Sequence, residues 1–500
     1  MADLPLLSIL IGLPALSTLV IALIPASRTE AIRRVALAGT VATFIVSLAL
    51  IGAFQVGEPG FQLVERAPWI PGWGINYQVG IDGITFPLVM LSTFIIPLAV
   101  LATWGHVSER TKGFYIAVLA LEASVIGVFV SLDLILFYVF FEGMLVPMYA
   151  LIGVWGGANR RYAAMKFFLY TLIGGLLMLV AILYLYFKAG ASTFDYEALR
   201  GLPLSETEQI WLFLAFFVAF AIKVPLFPFH TWLPDAHTEA PTIGSVDLAA
   251  ILLKIGGYGI IRFALPYFPQ ATQQLAPLIV GLAVVGVLYG ALVAMVQPDI
   301  KKLVAYSSVA HMGFVVLGVF ALNPASASGS VVQMVNHGLS TGALFILIGF
   351  MYERTHSRRI ADYSGLAKAA PVFGGVFLVV ALSSLALPGL NGFAGEFPIL
   401  LGSYQTVPWA AVAASFGVIF AALYLLWAYQ RMFHGPVGGR AAGMLDLTLR
   451  EKVVMVPLVA VIVAIGLYPK PLYERVTPTV EQILADVDQA PQAAAREPAG

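Results

Sequence analysis

Apolar stretches of about twenty residues recur along the whole chain, separated by short polar connections. A bilayer core about 30 Å thick needs roughly 20 helical residues to cross it. On that measure fourteen spans are expected, near 6–25, 34–54, 80–104, 113–131, 133–153, 163–187, 210–234, 241–263, 275–297, 303–322, 330–351, 371–403, 408–430 and 453–468. The pattern predicts an all-α polytopic membrane protein. The first stretch is long for a signal-peptide core, and no small-residue cleavage site follows it, so it is expected to remain a helix.

Two stretches break the helical rule. LFLAFFVAFAIKVPLFPFHTWLPDAH holds Pro225, Pro228 and Pro234, and FLVVALSSLALPGLNGFAGEFPILL holds Pro388, Gly389, Gly392, Gly395 and Pro398. Proline removes a backbone donor and clashes with the preceding turn. Irregular backbone at membrane depth survives only where protein or a wet cavity satisfies the freed groups. Interrupted helices at corresponding positions mark the inverted repeats of transporters. These two fall in the seventh and twelfth spans, which predicts two inverted five-helix units. The division expected is 1–112 for three leading helices, 113–263 and 264–433 for the repeats, and 434–500 for a last helix with a short amphipathic or frayed tail.

Seventeen of the 27 lysines and arginines fall in odd-numbered connections, and seven in even-numbered ones or the tail, including Arg496. Positive loops face the cytoplasm, so both termini are expected on the outer side.

Ionisable residues stand inside these apolar stretches. A charge at the centre of a membrane helix costs about 2.5–3.5 kcal/mol on insertion scales, so a chain that retains several uses them. Lys223 lies two residues before Pro225, where freed carbonyls and water are at hand. Lys254 sits mid-span in LAAILLKIGGYGII, seven residues after Asp247 and on nearly the same helical face. Glu142 and Glu122 lie mid-span, and each needs a cation or a proton; Glu142 and Lys223 are a natural candidate pair. Glu396 follows the second break and is placed to release protons, or else to cap the broken helix. His311 and His337 stand near span centres, where an imidazole that both donates and accepts suits a proton chain. His230 and His237 flank TWLPDA beyond the first break. The bland alternatives are snorkelling lysines, structural ion pairs and packed histidines. Lys166 is read as a snorkelling lysine, and the Gly256, Gly257, Gly259 group as close helix packing.

Composition sharpens this picture. The chain has 500 residues, 60% hydrophobic and 11% charged, with no cysteine. Soluble domains carry about 25% charged residues. Without cysteine there are no disulfides and no thiolate-held iron–sulfur clusters. No phosphate-binding glycine motif and no metal-ligand spacing stand out, and a net charge of zero gives no sign of nucleic-acid binding. Electrons or nucleotides, if involved, are handled elsewhere.

The segments KVPLFPFHTWLPDAHTEAPTIGSV, LLKIGGYG, AYSSVAHMG, NHGLSTGALF and LPGLNGFAGEF closely resemble the antiporter-like subunits of respiratory complex I, and the resemblance runs over essentially the whole chain. It implies fourteen helices with two inverted five-helix repeats in a bacterial inner membrane. It also implies a proton-translocating role coupled to quinone reduction elsewhere. By that resemblance Glu142 and Lys223 match the family's pair on helices five and seven, Lys254 its central lysine on helix eight, and Glu396 its terminal group on helix twelve. His311 and His337 match the polar axis between them; Asp247 has no assigned counterpart. The implied partners are the neighbouring antiporter-like subunits L and N. NADH, FMN, iron–sulfur clusters and quinone belong to other subunits, leaving no cofactor here. Subunits L and N, like the cation/proton antiporters of the family, end the broken twelfth helix in lysine, and this chain has Glu396 there. A cation/proton antiporter independent of electron transfer and a purely structural membrane arm are the competing readings.

Overall fold

The computed structural model describes residues 4–494, with side chains to 489; Arg496 lies outside the described residues. Helices α1 (Leu6–Leu23) and α2 (Thr29–Ala53) lead into a hairpin of β1 (Gln62–Ile70) and β2 (Ile75–Ile81). The hairpin is a small β element in an otherwise helical chain. Its strands pair antiparallel, and the connection turns at Pro71–Trp73 with Gly74 at φ +65°. A left-handed residue at that corner favours glycine. The segment is too polar and too short to cross a membrane, and the pairing satisfies its backbone instead. Trp69 and Trp73 stand exposed on it.

Next come α3 (Thr85–Ala102), α4 (Thr111–Val130), α5 (Leu134–Trp155) and α6 (Arg160–Lys188). The first broken segment follows as α7 (Glu206–Lys223) and α8 (Trp232–Glu239). Then come α9 (Thr242–Tyr267), α10 (Pro269–Met295), α11 (Ile300–Phe320) and α12 (Pro324–Thr355). The second broken segment is α13 (Pro371–Ser384) with α14 (Asn391–Thr406). The chain ends with α15 (Pro408–Phe433), α16 (Leu449–Leu467) and α17 (Lys470–Ala494).

Among the described residues, eleven continuous helices are long and apolar enough to cross a membrane, or twelve with the α16–α17 pair, which bends by 69°. Every one of the fourteen expected stretches is helical. Those at 210–234 and 371–403 are interrupted, so the count of fourteen crossings holds only if each broken pair counts as one.

Burial sorts the helices by role. Helices α9, α11 and α12 are buried almost throughout, whereas α1, α2, α6 and α15 turn apolar faces outward. Polar residues on outward faces would meet lipid, so the inner helices are where ionisable groups are tolerated. Gly256 of α9 leaves no room for a Cβ against Val224 and Phe220 of α7, so these two helices touch backbone to backbone. The tail folds as an amphipathic helix: Val476, Val480, Ile483, Leu484 and Val487 of α17 are buried. It lies against the hairpin side, where Gly83 N–H donates to Thr479 Oγ1 at 3.2 Å. On that side Arg262 of α9 pairs with Asp82, both buried, with its guanidinium 4.8 Å from the Phe61 ring and 5.5 Å from that of Tyr258.

Candidate functional site

The first break places Lys223 at the end of α7. Pro225 cannot continue the helical ladder, and Trp232 Nε1 reaches back to donate to the Ile222 carbonyl at 2.8 Å. Lys223 is 1% exposed, and its Nζ has no hydrogen-bond partner among the described residues. It lies 5.0 Å from the centre of the Phe141 ring and 5.6 Å from that of Phe167. Aromatic faces attract an ammonium group, so these two rings hold the cation in an otherwise apolar site.

Glu142 is half-buried on α5, beside Phe141. Its carboxyl packs against Gly175 of α6, where a Cβ would collide with Oε1. The Glu142 and Lys223 charges are within electrostatic reach of each other. They do not form the direct ion pair that the sequence invited: Lys223 Nζ and Glu142 Oε1 are both without a hydrogen-bond partner among the described residues.

Helix α9 carries Lys254 on irregular backbone. Two π-helical segments, Leu248–Leu252 and Ile260–Ala264, flank it. Such bulges free carbonyls from the regular ladder and recur at functional sites. Lys254 Nζ donates to the Ala249 carbonyl inside the first of them. It also contacts His337 Nδ1 of α12 at 2.6 Å.

From there the polar groups continue toward Glu396. The His337 and His311 rings are 5.7 Å apart, and a void of about 10 Å³ lined by both adjoins Ser340, Thr341 and Ser383. That is at the lower limit for one water molecule. His311 Nδ1 contacts Glu396 Oε1 at 2.6 Å, and Gln333 Nε2 donates to the same oxygen at 2.8 Å. Lys254, His337, His311 and Glu396 are each no more than 3% exposed. The second break supports this end: Asn336 Nδ2 donates to the Asn391 carbonyl at 2.6 Å, and Ser340 and Ser383 hydroxyls pair at 2.6 Å.

The remaining candidates stay outside this run. Glu122 and Asp247 are fully buried, with all four carboxyl oxygens unpartnered among the described residues. The Tyr258 hydroxyl donates to the Phe129 carbonyl at 2.9 Å, fixing α9 against α4. Glu122 and Asp247 lie within electrostatic reach of each other. His237 stacks on Phe345 at 4.7 Å, and neither ring nitrogen has a partner among the described residues. His230 packs against Phe227 and Tyr289. Lys166, read as a snorkelling lysine, pairs with Asp235 at 2.8 Å.

Sequence reasoning missed Gln333, Asn391, Phe141 and Phe167. In sequence Gln333 is one amide in an apolar run, SVVQMVNHG. The carboxylate that gives it meaning, Glu396, lies 63 residues further on.

Comparison with known proteins follows the same lines. The family described as "NADH:quinone oxidoreductase/Mrp antiporter, TM" matches residues 131–421, and "NADH-ubiquinone oxidoreductase chain 4, amino terminus" matches residues 40–127. NADH-quinone oxidoreductase subunit M of Rhodobacter capsulatus is 45% identical, over 98% of this chain and 99% of its own. The chain belongs to the subunit M family. NADH-ubiquinone oxidoreductase chain 4 of Marchantia polymorpha is 43% identical, over 96% of this chain and 97% of its own. A chain of respiratory complex I from Thermus thermophilus superposes with a TM-score of 0.89 at 35% identity, covering 96% of this chain and 99% of that one. A chain of the Mrp complex from Dietzia sp. DQ12-45-1b gives 0.84 at 21% identity, covering 97% and 100%; this likeness is one of fold alone. Membership of the subunit M family agrees with the acidic group at position 396, the residue that set this chain apart from the lysine-bearing members.

Proposed function

We propose that this chain is a proton-translocating membrane-arm subunit of an NADH-quinone oxidoreductase, and that its buried polar line carries the protons. The observation behind this reading is the run from Lys254 through His337 and His311 to Glu396, with contacts of 2.6 Å at its two ends and the imidazoles 5.7 Å apart. Each member exchanges a proton with the next over a hydrogen-bond distance or through one water. A proton on Lys254 passes to His337 Nδ1, and the water-sized void links the two imidazoles. His311 Nδ1 then delivers to the Glu396 carboxyl, where Gln333 stabilises the ionised form.

Glu142 and Lys223 act as the electrostatic end of the line. Neutralising Glu142 withdraws support from the Lys223 ammonium, and Lys223 then gives up its proton toward Lys254. With no direct ion pair between them, they act through charge and intervening water. Glu122, Asp247, His230 and His237 stand beside the line as further proton-holding candidates. In this reading spans four to eight and nine to thirteen are inverted repeats, protons are taken up on the cytoplasmic side, and both termini lie outside. Subunits L and N are the neighbours, and the redox groups belong to other subunits.

The test is the assembled complex in membrane vesicles. Glu142→Ala and Lys223→Ala should assemble yet lose most NADH-driven proton transport. A normal proton-to-electron ratio in both variants would defeat the assignment. Sodium-dependent exchange by the purified chain alone would favour the antiporter reading instead.

A further inference from the structure

An apolar groove of about 700 Å³ opens on the outward side of the chain, lined in part by Val335 and Leu339 of α12, which flank His337. Leu48 and Ile51 of α2 form one wall and Ile465 of α16 the other; Met90 and Phe94 of α3 and Leu339 of α12 form its floor. Leu48 and Ile51 are exposed, as are Leu467 and Tyr468 at the end of α16, so the groove opens sideways into the bilayer. Its lining is apolar down its length and changes character at one end.

That end closes on α17, where Arg475 is the one charged residue of the lining among the described residues. The guanidinium lies 5.4 Å from the Phe86 ring, and Nη1 donates to the Pro471 carbonyl at 2.6 Å within its own helix. Its Nε is buried without a partner among the described residues, and the adjacent Glu474 pairs with Lys470. A guanidinium does not lose its proton, and a charge against apolar surface needs an opposite one. Arg475 stands just past the end of a membrane-spanning helix, at the depth where lipid headgroups lie. The anion offered there by the bilayer is a phosphate, and the tail below it supplies the methylenes that the groove excludes from water.

We propose that this groove holds one phospholipid from the leaflet on the α17 side, with an acyl chain along Met90 and Phe94 and its phosphate on Arg475. A quinone tail would fill the apolar part but bring no charge to Arg475. A neighbouring helix would need an acidic residue at that height. Bound there, the lipid ties α2, α3, α16 and α17 together.

The test uses the whole complex, purified in detergent so that loosely held lipid is washed away. A photoreactive p-benzoylphenylalanine at position 94 should capture a phospholipid, seen as a mass adduct on the α3 peptide. Arg475→Gln should reduce that adduct at least several-fold, and Arg475→Lys should retain most of it. Met90→Trp, which fills the floor, should also abolish it. Capture of another protein chain or of quinone, an absent adduct, or an adduct indifferent to Arg475→Gln would overturn the proposal. Native gels of each variant establish that the complex has assembled.

Discussion

Gln333→Leu isolates one link of the proposed line. The side chain keeps its size and apolar setting, and only the amide that donates to Glu396 Oε1 at 2.8 Å is lost. Glu396 then keeps its contact with His311 of α11 at 2.6 Å but loses its hydrogen bond from α12. A hydrogen bond to a charged acceptor contributes about 1.5–3 kcal/mol. At about 1.4 kcal/mol per factor of ten, the ionised carboxylate becomes roughly ten- to a hundredfold harder to form. Proton release from Glu396 should slow accordingly, and NADH-driven proton uptake in membrane vesicles should fall to about a tenth or less. Assembly, read on native gels, should stay normal, because Gln333 Oε1 has no partner among the described residues and the leucine fills the same space. Gln333→Glu should be at least as damaging, since it sets a second acid against Glu396. A Gln333→Leu complex that pumps at the normal rate would refute the reasoning.

Other outcomes follow from the same structure. Arg262→Met strands the buried Asp82 carboxylate, which costs about 3–5 kcal/mol; the subunit should fail to accumulate in membranes, and the double change Asp82→Leu with Arg262→Met should restore it. Gly175→Ala puts a methyl where the Glu142 carboxyl packs; that flexible side chain should swing away, so proton transport should drop several-fold while thermal stability changes little. Glu122→Gln and Asp247→Asn each remove one acid of the buried pair. If the pair serves the line as a unit, the double variant should pump no worse than the poorer single one, whereas independent roles would make the losses multiply.

Much of the fold was legible because the bilayer imposes a length rule on apolar runs, and the proline and glycine clusters at Pro225 and Pro388 mark where that rule fails. The hairpin was not legible from the same rule, because residues 62–81 alternate over too short a stretch to compete with the long apolar pattern around them. Lys223, Lys254 and Glu396 announced themselves as charges in apolar sequence, and the structure buries all three. What sequence alone could not supply was adjacency. His311 and Glu396 are 85 residues apart and in contact, whereas Glu142 and Lys223, an obvious pair on paper, make no direct ion pair among the described residues. Gln333 and Asn391 escaped notice for a related reason. A single amide in a helix has meaning only through the partner across the packing interface.

The central claim is that protons pass through Lys254. The most direct measurement is the proton-to-electron ratio of the assembled complex carrying Lys254→Met, beside the wild type and Lys254→Arg, in sealed vesicles. Lys254→Met keeps the packing at the α9–α12 contact but has no proton to pass to His337, so the ratio should fall. Lys254→Arg, which holds its proton too firmly to release it, should fall with it. An unchanged ratio in both variants at normal turnover would contradict the account.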